Sequence, residues 1–299
     1  MQKMTAQIQG PIEALLLDYD GTITPLHVST VNASVPLQTQ AVLTRIGRKI
    51  PVIVVTSKAP DFVIPRTPFA TGWCTINGLE TRLGERVFRV PLPKLQLELV
   101  STALKYATKR LVPLGIDVEE KRLSNQQLVG FCVDWNHSRD FSKAQKAASR
   151  VAKHLRASSL YVCGLEGDTF FDVYPSPAHK GRAVEAIRER LGIKGGVAYM
   201  GDSEMDNPAF LLSNLSIGVL HDDSKPGLCA EYFARFEDLA DSLELNLRSI
   251  SSCKINRSKL CCDYNVQFED VPEFLSELWK NELVFSPSFS SIKIVGEVR

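Results

Sequence analysis

Four short apolar runs, Ala14 to Leu17, Val52 to Val55, Val197 to Met200 and Ile217 to Leu220, constrain the fold of this chain most strongly. Each is shorter than a usual helix and shows no polar alternation, the pattern of a strand buried on both faces of a parallel sheet. Helical patterns fall between such runs. Gly181 to Leu191 places Ala183, Val184, Ile187 and Leu191 on one face and Arg182, Glu185, Arg188 and Glu189 on the other, with Gly192 as its stop. Strands alternating with helices predict an α/β fold built on a doubly wound parallel sheet, Rossmann-like in organisation.

The texture changes in the middle of the chain. Periodicity predicts a helix over Leu95 to Leu111 and another over Phe141 to Leu155, with strands at Leu128 to Val133, Leu160 to Val162 and Phe170 to Val173. These describe a small α+β domain at 83–173, inserted into a core formed by 1–82 and 174–250. Residues 251–299 are then a C-terminal extension and a candidate to complete the core. Tyr232 and Phe236-Glu237-Asp238-Leu239 are weakly echoed by Tyr264 and Phe268-Glu269-Asp270-Val271, and 285–299 resemble a tail or an edge extension.

A chain of 299 residues can bury a sizeable core, and a net charge of +1 gives no electrostatic case for a nucleic-acid or membrane partner. Met1 to Gly10 lack the apolar stretch of a signal peptide, and no run approaches the roughly 20 apolar residues that span a bilayer. The expectation is a cytoplasmic protein. Cys74, Cys132, Cys163 and Cys229 sit singly among apolar neighbours and are expected to be buried thiols. Cys253, Cys261 and Cys262 form no CxxC pair that would support a zinc site.

The chemistry begins where the first run ends, at Asp18-Tyr19-Asp20-Gly21-Thr22. Carboxylates two residues apart on extended chain point the same way, and the Gly-Thr turn lets the backbone leave directly. Acidic residues at strand ends also serve as helix caps or solvated loop groups. A second cluster, Gly201-Asp202-Ser203-Glu204-Met205-Asp206-Asn207, follows another buried strand, however. Both leave the carboxyl ends of parallel strands, the edge at which open α/β sheets bind ligands. Thr56, with Ser57 and Lys58 behind it, follows Val52 to Val55, and Lys180 precedes the helix at Gly181. Taken singly, Thr56 also reads as a helix N-cap and Lys180 as a surface charge.

In this order, Asp18-x-Asp20-Gly21-Thr22, Thr56, Lys180-Gly181 and Gly201-Asp202-Ser203-x-x-Asp206 resemble the four motifs of the haloacid dehalogenase superfamily of phosphatases. The insertion between Thr56 and Lys180 resembles its C2-type cap. The resemblance implies that Asp18 attacks phosphorus and that Asp20 protonates the leaving oxygen and then activates water. It makes Thr56 and Lys180 the remaining catalytic residues, donating to the transferring group, and Gly21, Thr22, Ser57 and Asp206 substrate-binding neighbours. Like charges about 4 Å apart at an effective dielectric of about 20 repel by about 4 kcal/mol, so converging carboxylates and a phosphate need a cation. The implied cofactor is Mg2+, held by Asp18, the Asp20 carbonyl and Asp202, with Asp206 an outer-shell acceptor or an added ligand.

The implied partner is a small phosphorylated sugar. Gly115 to Lys121, Asp172-Val173-Tyr174-Pro175 and Asn77-Gly78-Leu79-Glu80 resemble segments of trehalose-6-phosphate phosphatases, which implies that Glu119, Lys121 and Asp172 hydrogen-bond sugar hydroxyls. As plain residues these three equally describe a charged surface. Asp134-Trp135-Asn136 stands where those enzymes carry His-Tyr-Arg, with His137 and Arg139 displaced. The Gly-Asp-Ser-Glu-Met-Asp motif is nearer to mannosyl-3-phosphoglycerate, sucrose-phosphate and Cof-type phosphatases. Trehalose 6-phosphate is the expected substrate, with those phosphatases, a phosphomutase and a non-catalytic sugar-phosphate sensor as alternatives. Trp135 offers either a stacking surface for a pyranose or core packing.

Overall fold

A computed structural model of the chain describes residues 11–26, 33–164, 167–222 and 227–251. The 251–299 extension beyond Ser251, the second copy of the weak repeat, and Cys253, Cys261 and Cys262 lie outside the described residues. In chain order the first elements are β1 (Ile12–Leu17), α1 (Leu37–Gly47), β2 (Val52–Val55), α2 (Pro60–Val63), β3 (Gly72–Thr75), β4 (Glu80–Leu83) and β5 (Arg86–Arg89). Next come α3 (Lys94–Leu111), β6 (Asp117–Arg122), β7 (Leu128–Asp134), α4 (Phe141–Arg156), β8 (Tyr161–Cys163) and β9 (Phe170–Tyr174). The chain continues through α5 (Gly181–Leu191), β10 (Gly196–Gly201), α6 (Asn207–Phe210), β11 (Leu215–Leu220), β12 (Tyr232–Arg235) and α7 (Leu239–Ser251).

These elements form two compact units. One holds the described residues up to Ser57, then 64–87, and the chain from His179 onward; the other holds 58–63 and 88–178. The second unit therefore differs from the expected 83–173. The β4 strand still pairs with β3 of the large sheet, and the β6–β7 turn reaches back to 58–63 through Gln126 Nε2, which donates to Asp61 Oδ2 at 3.0 Å.

The large sheet runs β12-β11-β10-β1-β2-β3-β4-β5, parallel from β12 to β3 and antiparallel from β3 to β4. From β1 the chain winds outward through β2 and β3 on one side and later through β10, β11 and β12 on the other. The strand order thus reverses between β1 and β10, where doubly wound sheets leave a crevice at their carboxyl edge. Four strands, β11, β10, β1 and β2, apolar but for Glu13 and Ser216, occupy this centre because both faces are covered. Ala14, Leu16, Ile53, Val55, Val197 and Tyr199 pack with Ala183, Val184 and Ile187 of α5, while α1 and α7 pack together near the opposite face. The α5 helix stops at Gly192, whose φ of 62° supplies the left-handed C-cap its position predicts.

The smaller unit is a four-stranded antiparallel sheet, β6-β7-β9-β8, with α3 and α4 on one face. Phe131, Val133, Phe171 and Val173 alternate onto that face and pack against Val100, Ala107, Ala148, Val151 and Leu155. Trp135 belongs to this core at 6% exposure, its ring 6.2 Å from Phe171, which settles it as packing rather than a stacking surface. The α4 helix begins at Asp140, whose carboxylate accepts from the Lys143 N–H. Of the cysteines expected to be buried, Cys74 is; Cys132, inside β7 on the face away from the helices, Cys163, at the end of β8, and Cys229, in the loop before β12, are half-buried. Among the described residues no helix is long and apolar enough to cross a membrane.

Candidate active site

The β1, β2 and β10 strands are in register so that Leu17 lies level with Val54 and Met200. One residue beyond this row is Asp18, and two beyond it are Thr56 and Asp202. The ladder continues to the edge, since the Asp18 N–H donates to the Met200 carbonyl at 2.9 Å. Sheet register alone therefore gathers residues nearly two hundred positions apart at the switch point.

Lys180, at the entrance to α5, is 6% exposed, and its Nζ lies 2.8 Å from Asp18 Oδ1 and 2.8 Å from Asp206 Oδ1. Asp206 is completely buried. Its Oδ1 also accepts from the Tyr199 hydroxyl at 2.6 Å, and its Oδ2 accepts from the Asp202 N–H, the Ser203 N–H and the Ser203 hydroxyl at 3.1–3.2 Å. Five donors thus occupy this carboxylate. The geometry describes an anchor beneath Lys180 and the Asp202 loop, in contrast to the substrate contact expected for Asp206. Thr22 Oγ1 donates to Asp202 Oδ1 at 3.0 Å, so the Asp18–Thr22 turn holds the Asp202 side chain directly.

One carboxylate oxygen each from Asp18, Asp202 and Asp206 lies within 4.8 Å of the others. Crowded burial has the electrostatic effect it must. Burial raises the Asp18 carboxyl well above its usual range, and Asp206 and Asp202 push it further against the pull of Lys180. Asp202 is pushed up to about 7, first by burial and then by Asp206. Burial alone would lower the Lys180 ammonium, but Asp18 and Asp206 outweigh it and raise the group, so it stays charged. An all-oxygen set of carboxylates that resist ionising together fits a hard divalent cation.

Gly21 is where the turn leaves no alternative residue. Its φ is +72°, and a Cβ there would stand 2.2 Å from Asp202 Oδ2 and 2.7 Å from Leu26 Cδ2. Gly21→Ala is expected to cost about 1–3 kcal/mol for the backbone conformation, more for displacing Asp202, and to reduce any activity of this site at least about 100-fold. Gly84→Ala is the control, since Gly84 has φ +57° and nothing within 4 Å of its missing Cβ. Denaturant unfolding and turnover of both variants check this; equal losses would show that only backbone conformation matters.

Thr56 is 1% exposed and held at both ends of its backbone, its N–H donating to the Cys74 carbonyl at 2.9 Å and its carbonyl accepting from the Asn77 N–H at 3.0 Å. It is not a helix cap. The turn behind it is strained, with Ile76 at φ 51° and Asn77 at φ 52°, a rare conformation for a β-branched residue. Ser57 follows on the same edge, and Asp20 is half-buried in the turn, bridged to Thr24.

In the smaller unit, Glu119, Cys132 and Asp172 form a row across β6, β7 and β9 on the face away from the helices. Glu119 is exposed. Lys121 and Asp172 are buried and paired, Nζ to Oδ1 at 3.1 Å, and the Tyr174 hydroxyl donates to Asp172 Oδ2 at 2.7 Å. Lys121 and Asp172 are therefore committed to each other within the sheet. Two residues of the large unit escaped the sequence reading: Tyr199, inside an apolar run, and His221, a single histidine after β11. Neither belongs to a spacing pattern that would have flagged it.

No protein-family model and no curated protein sequence matches this chain. Solved structures do. A trehalose-6-phosphate phosphatase related protein aligns at TM-score 0.61 and 14% identity, over 80% of this chain and 99% of its own. The C-terminal domain of C. albicans trehalose-6-phosphate phosphatase aligns at TM-score 0.63 and 17% identity, over 80% of this chain and 93% of its own. A haloacid dehalogenase-like hydrolase from Bacteroides thetaiotaomicron aligns at TM-score 0.58 and 13% identity, over 78% of this chain and 98% of its own. With its switch-point carboxylates and an α+β unit inserted after the first strands of the sheet, this chain has the fold of the haloacid dehalogenase-like hydrolases.

Proposed function

We propose that this protein is a divalent-cation-dependent phosphatase acting on a phosphorylated sugar, with trehalose 6-phosphate the preferred candidate. The observation that carries the reading is Asp18 at the switch point, paired with Lys180 and crowded by Asp202 and Asp206. In the first step an Asp18 oxygen attacks phosphorus, and the bond from phosphorus to the sugar oxygen breaks. That oxygen keeps the electron pair and takes a proton from Asp20. In the second, water gives its proton to Asp20 and attacks phosphorus, and the Asp18 carboxylate leaves as it began. Lys180 offsets charge on the transferring group, the Thr56 hydroxyl and the Gly21–Thr22 turn donate to its oxygens, and Ser57 lies beside them. Asp206 acts through Lys180 and the Asp202 loop.

Asp18, the Asp20 carbonyl and Asp202 would hold Mg2+, which when bound neutralises phosphate charge and keeps both carboxylates ionised. A pH dependence follows. The folded-state pKa of Asp202, about 7, stands above its ordinary 3.8, so its charge weighs on stability increasingly as pH rises between these values. Below about pH 7 a cation must displace that proton, so affinity for Mg2+ is expected to fall by about tenfold per pH unit. Thermal shifts with Mg2+ at pH 8 and pH 5 measure this; equal gains at the two values would contradict it.

The substrate reading rests on Glu119, Lys121 and Asp172 and on the trehalose phosphatase structures of like fold. Glu119 is the exposed contact for sugar hydroxyls, and the Lys121–Asp172 pair supports the face from which it projects. The Gly-Asp-Ser-Glu-Met-Asp motif favours a second reading, another sugar phosphate such as mannosyl-3-phosphoglycerate or sucrose phosphate. Phosphate release from a panel of phosphorylated sugars, with Mg2+ and with chelator, tests both. Preference for trehalose 6-phosphate over glucose 6-phosphate is expected. Equal rates would remove the trehalose assignment, and saturable binding without release would make the protein a sensor.

A further inference from the structure

Outside the motif residues, a side chain from the same carboxyl edge of the sheet, two strands away from β1, reaches the Asp18–Thr22 turn. His221, the first residue after β11, places Nε2 2.5 Å from the Gly21 carbonyl oxygen. A carbonyl only accepts, so Nε2 carries the proton and the imidazole is the donor. The ring is itself held. It stacks on Phe236, which follows β12, with centroids 4.8 Å apart and planes inclined by 22°, and the Phe236 N–H donates to the Leu220 carbonyl at 2.9 Å. The histidine is thus fixed by the two strands beyond β10 and delivers a hydrogen bond to a loop that grows from β1.

The bonded peptide unit is the one between Gly21 and Thr22. In a planar trans peptide the C=O and N–H point in opposite directions, so anchoring the Gly21 oxygen also sets the direction of the Thr22 N–H. The same turn carries Asp20 one residue earlier, and the Thr22 hydroxyl holds Asp202. Gly21, at φ +72°, brings no side chain to brace the turn, and glycine is the residue whose backbone is least restricted by itself. Within the turn the Ile23 and Thr24 N–H groups and the Thr24 hydroxyl donate to the Tyr19 carbonyl, and the bond from His221 adds a fixed point at the Gly21 oxygen.

We propose that His221 is a positioning residue for phosphoryl transfer, fixing through the Gly21 carbonyl the turn that bears Asp20 and the Thr22 amide. The inference rests on the phosphatase reading above. A misplacement of about 1 Å in such a site costs about 100-fold in rate, so removing the donor should lower kcat by about 10- to 100-fold. KM should stay within about threefold, because the phosphate still meets Lys180 and the cation.

Two variants separate the hydrogen bond from the ring. His221→Leu removes both, while His221→Gln keeps a donor and loses the stack. With p-nitrophenyl phosphate and the best sugar phosphate of the panel, kcat should follow the donor, lost in Leu and largely restored in Gln, while melting temperature follows the ring and falls in both. Nitrogen NMR of the unmodified chain at pH 8 should show the proton on Nε2 and not on Nδ1, a readout independent of turnover. Unchanged kcat in His221→Leu, a Gln variant no better than Leu, or a proton on Nδ1 would each overturn the inference alone. No hydrolysis by the unmodified chain would overturn the phosphatase reading with it.

Discussion

Asp18→Asn is expected to leave a folded protein with turnover reduced by at least about 10,000-fold, the scale of losing a covalent nucleophile. Its stability should move the other way. The Asp18 carboxyl is raised by burial and by its acidic neighbours, so its ionised form is a burden on the folded state that Lys180 only partly offsets. Asparagine keeps the shape and removes the charge, and Lys180 retains Asp206 at 2.8 Å. Without metal at neutral pH the variant should therefore melt at or above the unmodified temperature, and Mg2+ should raise that temperature less than it does in the parent. Residual phosphate release near the parent rate would end the nucleophile assignment. A clear drop in melting temperature would mean that the Asp18–Lys180 pair contributes more to the fold than its acidic crowding costs.

Lys180→Met tests the same cluster from its cationic side. Methionine fits the volume but strands two carboxylates at 4% and 0% exposure. Breaking a buried pair by removing one partner typically costs about 3–5 kcal/mol, and for a chain of this size each kcal/mol lowers the melting temperature by about 2–4 °C. Turnover should fall by about 100- to 1,000-fold, as when one preorganised donor is taken from a transferring group. The double variant Asp18→Asn with Lys180→Met gives the decisive comparison, since one stranded charge is then gone. It should exceed Lys180→Met in stability by more than Asp18→Asn exceeds the parent, and strictly additive changes would show that the two groups do not interact as their 2.8 Å separation requires. Calorimetric melting of the four proteins measures the cycle.

The central strands and the motifs at their ends were legible for one physical reason. β1, β2, β10 and β11 are covered on both faces, so sequence must write them as unbroken apolar runs, and the residues just beyond them stand out by contrast. Helices α3, α4 and α5 were legible because one apolar stripe faces a sheet. The missed elements lack that contrast. β6 is Asp-Val-Glu-Glu-Lys-Arg, with one face toward the helices, and β3 to β5 and β12 are strands of four residues with mixed composition. α1 presents Thr39, Val42, Leu43 and Ile46 inward but begins with an exposed leucine, which blurs its period. Within the site, sequence order located Asp18, Thr56, Lys180 and Asp202. Only three dimensions reveal that Asp206 is spent on five donors, that Tyr199 is one of them, and that His221 meets the Gly21 carbonyl, from positions no spacing rule marks.

The placement of β1 between β2 and β10 has a consequence for synthesis of the chain. β1 is made first and pairs early with β2 on one side, but its other neighbour begins only at Gly196. At a translation rate of roughly 5–20 residues per second, the ribosome needs on the order of ten seconds or more to deliver that partner. For that interval the nascent sheet carries an open apolar edge along the strand that ends in Asp18, the kind of surface that invites mispairing and chaperone capture. The switch-point cluster is thus among the last things the polypeptide acquires, and a fragment released before β10 is made is an aggregation hazard that lacks Asp202 and Asp206.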